Sequence, residues 1–314
     1  NVVNADENKG AGMVGKIVAD IDMSTLDHFA PAAEFAGTLD GSYTDGENTS
    51  NWTISNTTSH LIGTLSATGV VKNINVSGNL TINANDDAAF IVLDNAGTIS
   101  YCKTQGKAET SADLVFEKER AVGAIAARTS GTIEYCTNEA AITLSPLSYE
   151  KATITNHKGL QHIGGIAGYA TGNAAVIDNC TNSAKVALTS LGAINAVTTI
   201  GGILGSSSSE IGNNVSAGTL SANVTLSNCV NNGEVRWSYD EKPFGDAYNN
   251  LCFGGVVGYL EGNLSNCVNN GFLYAHGWRT TDDGSCYTKY LAFGGVAGVA
   301  VGNVTKCHNN GNVD

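Results

Sequence analysis

The chain has 314 residues, of which 38 are Gly, only 3 are Pro, 14% are charged and 42% are hydrophobic. Its formal net charge of −13 repels a phosphate backbone, and no cluster of Lys and Arg offsets this charge, so nucleic acid is excluded as a partner. No window approaches eighteen apolar residues, so the chain is not expected to span a membrane.

Taken in chain order, the sequence is a repeat. An apolar, glycine-containing phrase begins faintly at Leu61 and Ala89 and then recurs as "AVGAIAA", "IGGIAGY", "IGGILGS", "FGGVVGY" and "FGGVAGV". A second phrase with a central cysteine follows most copies, as in "GTIEYCTNEAAI", "AVIDNCTNSAKV" and "GNLSNCVNNGFL". The cysteines of this phrase are 34 to 49 residues apart, so insertions of variable length separate the copies.

The pattern within each copy predicts short β-strands. Each phrase alternates apolar and polar residues over five to seven positions and is bounded by Gly or Asn. A period near 40 also occurs in helical arrays and propeller blades, but short strands at a fixed register are typical of a solenoid of parallel strands. Since parallel crossovers are right-handed, the prediction is an all-β, right-handed parallel β-helix of about eight coils with lateral loop insertions, formed by residues 1–314 as a single domain.

The phrases "GGIAGYATGNAAVIDNCTNSAKV" and "GGVVGYLEGNLSNCVNNG" resemble the GLUG-type repeat of large bacterial surface proteins. The earlier "GKIVADIDMS" and "FAGTLDGSYTDGENTSNWTISN" are similar to the coil that usually precedes such repeats, so residues 1–60 are assigned to an opening coil and 61–314 to stacked repeat coils. The resemblance implies an exported, cell-surface, outer-membrane-associated β-helix of adhesin type, often from gut Bacteroidetes. It implies no catalytic residues.

Stacking explains why the same residues recur, because each position lies above its equivalent one coil away. The phrase cysteines are therefore expected to form a buried structural ladder of free thiols, since parallel side chains hold the Cβ atoms too far apart for disulfides. The six members are Cys102, Cys136, Cys180, Cys229, Cys267 and Cys307.

Two positions after each cysteine lies Thr104 or an asparagine, as in Asn138 and Asn231. Asparagine accepts positive φ and bonds to its neighbours, so an asparagine ladder at a corner is predicted. A calcium site is disfavoured because these phrases lack acidic ligands. The glycines of the first phrase, such as Gly164 and Gly202, are expected where backbones approach closely.

Two insertions interrupt the regular ladder at the same point of successive coils, at residues 236–252 and 274–290. They concentrate aromatic and hydrogen-bonding side chains, which suit protein hot spots and the apolar faces of sugars. The candidate ligand-binding residues are Trp237, Tyr239, Tyr274, His276, Trp278, Arg279, Tyr287 and Tyr290. The alternative is that the insertions pack on each other and shield the rod, and Cys252 and Cys286 are placed where they could cross-link them.

The sequence analysis thus favours a non-enzymatic adhesion or ligand-binding protein, with glycans or proteins of the host or of neighbouring cells as partners. No metal site and no cofactor are predicted, because the cysteines and histidines lack ligand spacing. The competing hypothesis is a polysaccharide-degrading enzyme of the β-helix type, or its glycan-capture module. Glycoside hydrolysis would need two facing carboxylates, whereas the acidic residues of the repeats occupy different positions.

Overall fold

The computed structural model describes residues 8–26, 29–83, 86–110, 118–145, 160–190, 197–208, 222–239, 250–276 and 290–314. Within these ranges the chain is almost entirely strand and turn, and the one helical element is a 3-10 turn at Met23–Thr25, capped by Asp22. None of these residues forms a helix with the length and apolar character needed to cross a bilayer.

The strands are stacked in four columns, named A to D in the order in which one repeat runs through them. Column A consists of Arg120–Gly123, Gln161–Gly164, Val197–Gly201, Asn250–Gly254 and Tyr290–Gly294. Column B consists of Ala32–Phe35, Ile62–Leu65, Val92–Asn95, Ala126–Thr129, Ala167–Ala170 and Leu204–Ser206. Column C consists of Val14–Lys16, Thr38–Asp40, Val70–Lys72, Thr98–Ser100, Thr132–Glu134, Val176–Asp178 and Val224–Ser227.

In most coils the strands of column D begin just after the phrase cysteine. They are either long or divided into two shorter strands. Its members are Ile21–Asp22, Asn48–Thr57, Ile74–Ile82, Lys103–Thr110, Thr137–Leu144, Thr181–Asn182, Val186–Ser190, Val230–Asn231, Val235–Tyr239, Val268–Asn269, Leu273–His276 and His308–Asn309. Two long strands, Val257–Ser265 and Ala297–Thr305, belong to column B at their start and to column C at their end. Ser42–Asp45 forms an antiparallel hairpin with Asn48–Thr57.

Pairing within the columns is parallel and in register, apart from one register shift between Ile54 and Thr57 in column D. In column C, for example, Ile99 pairs with Ile133, Ile133 with Ile177, and Ile177 with Leu226. All four side chains are buried in one continuous core, where each contributes about 1.5–3 kcal/mol by leaving water. The prediction of an all-β fold with the strand order of a parallel β-helix is confirmed; its handedness and the number of coils stay predictions.

The cysteine ladder lies at the start of column D. Its five members from Cys102 to Cys267 are buried, and all six are free thiols. Each Sγ donates to the carbonyl oxygen two residues earlier, at 3.1 to 3.3 Å. Burial raises the pKa of the Cys136 and Cys229 thiols well above their ordinary value. These cysteines therefore pack as small apolar residues, and buried Ile74 takes the same place one coil before Cys102.

The asparagine ladder is a continuous chain of side-chain hydrogen bonds, buried except at the exposed Asn309. Nδ2 of each Asn donates to Oδ1 of the Asn one coil further on, at 2.7 to 2.8 Å, through Asn138, Asn182, Asn231, Asn269 and Asn309. Nδ2 also donates to the carbonyl oxygen two residues ahead, at 2.8 to 3.0 Å. The predicted coil-to-coil bonding is confirmed by this geometry.

The prediction that these asparagines occupy the positive-φ corner is wrong. The left-handed residue is the one just before each cysteine, and before Ile74 in the coil that precedes Cys102, with φ between 50° and 57° at Asn73, Tyr101, Tyr135, Asn179, Asn228, Asn266 and Lys306. The turn from column C to column D is made at this position. The ladder asparagines follow the turn and use their amides to hold the backbone that continues into column D.

The second glycine of the apolar phrase packs directly against the asparagine ladder. A Cβ on Gly202 would lie 2.2 Å from Cγ of Asn231, and one on Gly255 would lie 2.4 Å from Cγ of Asn269. The first glycine meets column B instead, since a Cβ on Gly164 would lie 2.0 Å from the carbonyl oxygen of Ala167. The expected close backbone approach is confirmed, and it links the two recurring phrases across the core.

Candidate functional site

The two predicted insertions start and finish on neighbouring strands. Where they leave column D, Arg236 pairs with Tyr274 and Ser238 with His276. Where they return to column A, Asn250 pairs with Tyr290. The chain between these points, at 240–249 and 277–289, lies outside the described residues. The shared register nevertheless places the strand ends that lead into the two insertions side by side. We call these strand ends the roots of the insertions.

The root of the second insertion carries a row of aromatic side chains. Phe272 and His276 are exposed, and Tyr274 between them is half-buried. The ring centroids of Phe272 and Tyr274 are 6.2 Å apart, and those of Tyr274 and His276 are 6.1 Å apart with an angle of 25° between the planes. We name Phe272, Tyr274 and His276 the aromatic row.

The coil below supplies a cation to this row. Cζ of Arg236 lies 3.9 Å from the centre of the Tyr274 ring, a distance typical of a cation–π contact. Nε of Arg236 donates to Oε1 of Glu234, and Nζ of Lys185 lies 3.9 Å from the same oxygen. The carboxylate thus holds the guanidinium in place, and the tyrosine ring is fixed from one side.

Trp237 does not belong to this surface. It is only 8% exposed and is part of the main core, with its ring centroid 6.3 Å from that of Phe293 in column A. Strand alternation is the reason: Arg236 and Tyr274 point outward, so Trp237 and its neighbour Ala275 point inward. For Trp237 the structure agrees with the alternative that the insertions pack against the rod and shield it.

The other predicted residues are placed only in part. Tyr239 and Tyr290 lie in strands of columns D and A, and their side chains are not described. Trp278, Arg279, Tyr287 and Cys286 lie outside the described residues. Cys252 is a free, buried thiol packed with Tyr259, and burial raises its pKa to about 12.

A second polar cluster, which sequence analysis did not identify, lies where columns A and B face each other. Arg128 forms ion pairs with Asp87 at 2.6 Å and with Glu119 at 2.8 Å, and its Cζ lies 5.3 Å from the centre of the Tyr169 ring. The buried His162 stacks on the same ring at 4.7 Å. These residues come from three coils, and the register Arg128 to Tyr169 brings two of those coils together.

His162 is held neutral in this cluster. Its Nδ1 lies 2.9 Å from Oγ1 of Thr199, whereas Nε2 is 3.9 Å from Oε1 of Glu119. Burial, with a smaller contribution from the charge of Arg128, lowers the pKa of His162 to about 3. The imidazole is therefore a structural hydrogen-bonding group at neutral pH.

A pH dependence of stability follows from this histidine. Since its pKa is about 3 in the folded protein and about 6.5 in the unfolded chain, the unfolded state binds more protons between these values. Stability is therefore lost as the pH falls below 6.5, by about 1.4 kcal/mol per pH unit from this group. Urea unfolding of wild type and His162→Gln at pH 7 and pH 5 measures the effect.

The expected result is a difference of about 2 kcal/mol in the pH dependence of wild type and His162→Gln over this range. His276→Gln, which removes an exposed histidine, serves as the control and should keep the wild-type pH dependence. An identical pH dependence in wild type and His162→Gln would contradict the assignment of a neutral, buried His162.

Two cavities among the described residues are notable. One, of about 320 Å³, borders the polar cluster and is lined by polar groups that include His60, Asp86 and Asp87. The other, of about 310 Å³, is apolar and opens at the first coils beside Met13, Phe29 and Phe35. No group of three or more His, Cys, Asp or Glu side chains in the described part of the chain could hold a metal ion.

Comparison with known proteins agrees with this architecture. The family model of the GLUG motif matches residues 159–187, which include "IGGIAGY" and Cys180. The chain therefore carries a GLUG motif, as the resemblance predicted. No curated protein matches the sequence.

Two solved structures share the fold. One is a Bacteroides ovatus protein provisionally named an immunoglobulin A1 protease, 18% identical with a TM-score of 0.58, and the match covers 94% of this chain and 78% of that one. The other is named IgA1 Protease, 16% identical with a TM-score of 0.51, and the match covers 98% of this chain and 21% of that one. At these identities the likeness shows the fold alone.

These findings define the chain as an all-β protein of stacked parallel strands that carries the GLUG motif. They also correct one expectation. The expectation of a non-enzymatic chain is corrected, because the two structural neighbours described above are both named as proteases and the fold is therefore compatible with an enzyme.

Proposed function

We propose that this chain is a surface-exposed, ligand-binding β-helix whose aromatic row, with Arg236, binds a protein partner. The observation that carries the proposal is the fixed contact of Arg236 with Tyr274 between two exposed aromatic rings. Tyr and Arg dominate the binding energy of protein interfaces, and a ring held rigid loses little conformational entropy on binding. The two insertions begin beside this row.

A second candidate function is supported by the names of the structural neighbours. In that case the row holds a protein substrate for a proteolytic activity, as the name immunoglobulin A1 protease would imply. The match covers 21% of the second neighbour, so most of that neighbour lies outside the matched region. Both candidates require the same binding surface, and they differ in whether the bound protein is cleaved.

The proposal includes the location and form of the molecule. We place it outside the cell, associated with the outer membrane, as the resemblance to GLUG-repeat surface proteins implies. The rod is proposed to be right-handed, with about eight coils and both insertions on one side. Glycans remain the alternative ligand, because stacked aromatic rings beside polar groups also suit sugars.

The proposal predicts that Tyr274→Ala weakens binding about tenfold. The change removes the ring that Arg236 and His276 contact, and such an anchor contributes about 1–2 kcal/mol. Binding of wild type and variant is measured by surface plasmon resonance on immobilised immunoglobulin A1 and extracellular-matrix proteins, with a glycan array beside them. Electrophoresis of the incubated proteins then shows whether any bound partner is cleaved.

Phe29→Ala is the matched control, since it removes another exposed aromatic ring at the opposite end of the described coils. It should bind as wild type does. Equal binding by wild type and Tyr274→Ala, or no binding to any protein on the surface, would contradict a protein-binding row. Binding confined to the glycan array would favour the alternative ligand.

A further inference from the structure

The corner before each cysteine contains an unexpected pair of residues. Four of its seven left-handed positions are occupied by Asn, which tolerates positive φ, but Tyr101 and Tyr135 adopt φ values of 53° and 52°. A bulky side chain is disfavoured in this conformation, and such strain concentrates at functional sites. The fold itself does not require tyrosine, because Asn makes the same turn one coil earlier and one coil later.

The two tyrosines gain contact with each other but little burial. Their rings are parallel within 3°, with centroids 4.9 Å apart, so each covers one face of the other. Tyr101 nevertheless remains 52% exposed and Tyr135 45% exposed. The stack therefore projects from the rod and does not extend its core.

The coils above and below this stack carry an asparagine at the same corner, and each of these side chains is bonded to an aspartate of column C. Asn179, the next residue above Tyr135, donates through Nδ2 to Oδ2 of Asp178 at 2.6 Å. Asn73, below Tyr101, donates in the same way to Oδ1 of Asp40 at 3.0 Å. Both amides are thus bonded toward column C, and both tyrosines keep about half of their surface exposed.

Polar groups are fixed on the coils that follow Tyr135. Oδ1 of Asp178 accepts from Oγ of Ser227 at 2.6 Å and from Nδ2 of Asn228 at 2.8 Å. Asn266 in turn donates to Oδ1 of Asn228 at 3.2 Å. The carboxylate therefore orients amides that still have donor and acceptor capacity toward solvent.

We propose that the Tyr101–Tyr135 stack is a binding platform for a neutral hexopyranose glycan, with Asn179, Asn228 and Asp178 as its hydrogen-bonding groups. A sugar ring offers an apolar C–H face for an exposed tyrosine ring and hydroxyls for amides and a carboxylate. The formal net charge of −13 disfavours polyanionic glycans. The site is distinct from the aromatic row, which lies on column D beyond the asparagine ladder.

The test is isothermal titration calorimetry of the full chain with neutral hexasaccharides of glucose, mannose and galactose. The key variant is Tyr135→Asn, because it introduces the residue that the neighbouring coils use at this corner and should fold at least as well. We expect wild type to bind one of these hexasaccharides and Tyr135→Asn to bind it at least about tenfold more weakly. Side-chain amide signals of Asn179 and Asn228 should shift in NMR spectra when the sugar is added to wild type.

Phe29→Ala removes an exposed aromatic ring that belongs to neither proposed site and is the matched control; it should bind the hexasaccharide as wild type does. Because neither variant touches the aromatic row, this result would support the platform whether or not that row binds a protein. Failure of wild type to bind any of the hexasaccharides would overturn the proposal. So would unchanged binding by Tyr135→Asn, or loss of binding in Phe29→Ala alone.

Discussion

Asn231→Asp is expected to lower the free energy of unfolding by about 3–5 kcal/mol, because it places an unpaired charge in a buried hydrogen-bond ladder. Nδ2 of Asn231 donates to the carbonyl oxygen of Gly233 at 2.9 Å and to Oδ1 of Asn269 at 2.7 Å. A carboxylate oxygen in its place would face two acceptors. Urea unfolding followed by far-UV circular dichroism measures the loss.

Asn232→Asp is the matched control, since the same change one residue later falls on an exposed side chain. Asn232 accepts from Asn270 through its Oδ1, and an aspartate keeps that acceptor. The control should unfold within about 0.5 kcal/mol of wild type. If Asn231→Asp were equally mild, the ladder would not be a major source of stability.

Protonation of the carboxylate introduced by Asn231→Asp restores one donor, so the defect should shrink at low pH.

Gly202→Ala is expected to destabilise the protein by about 3 kcal/mol through overpacking. The new Cβ would lie 2.2 Å from Cγ of Asn231 and 2.4 Å from the carbonyl oxygen of Gly255. Neither atom can move freely, since the amide is held by four hydrogen bonds and the carbonyl belongs to the next coil. A lower midpoint in urea and in thermal unfolding would show the strain.

Gly15→Ala controls for the general effect of alanine in a strand. Gly15 also lies in a column strand, but the nearest atom to its added Cβ is 3.5 Å away, an ordinary contact. Gly15→Ala should leave the midpoint unchanged or slightly raised, because alanine reduces the entropy of the unfolded chain. Equal losses in Gly15→Ala and Gly202→Ala would remove the argument for a steric role of the second phrase glycine.

Much of the fold could be predicted because a solenoid repeats its own contacts. An in-register stack places Cys136 between Cys102 and Cys180, so one favourable residue type is repeated in the sequence at each coil. The asparagine ladder was recognisable for the same reason. What the pattern did not reveal was which residue makes the turn, since Asn occurs both at the left-handed corner and in the ladder, and only the backbone angles separate Asn179 from Asn182.

The candidate site was predicted less well. Composition marked the aromatic insertions, but it could not tell that Trp237 faces the core while Arg236 faces solvent, because this depends on the register of one strand against the next. The Arg128 cluster was missed because its members come from three coils and no local motif contains them. A charged residue in an otherwise apolar phrase, as in "AIAART", was the available signal.

The sequence by itself therefore determined the class of structure: short parallel strands stacked in register, with a buried thiol ladder and an amide ladder. It could do so because these features depend on contacts between equivalent positions, which the repeat records directly. Only the tertiary structure decided which side chains reach solvent and which distant groups meet. The neutral His162 and the contacts of Tyr169 with His162 and Arg128 arise where columns A and B face each other, and such relations between different columns leave no period in the chain.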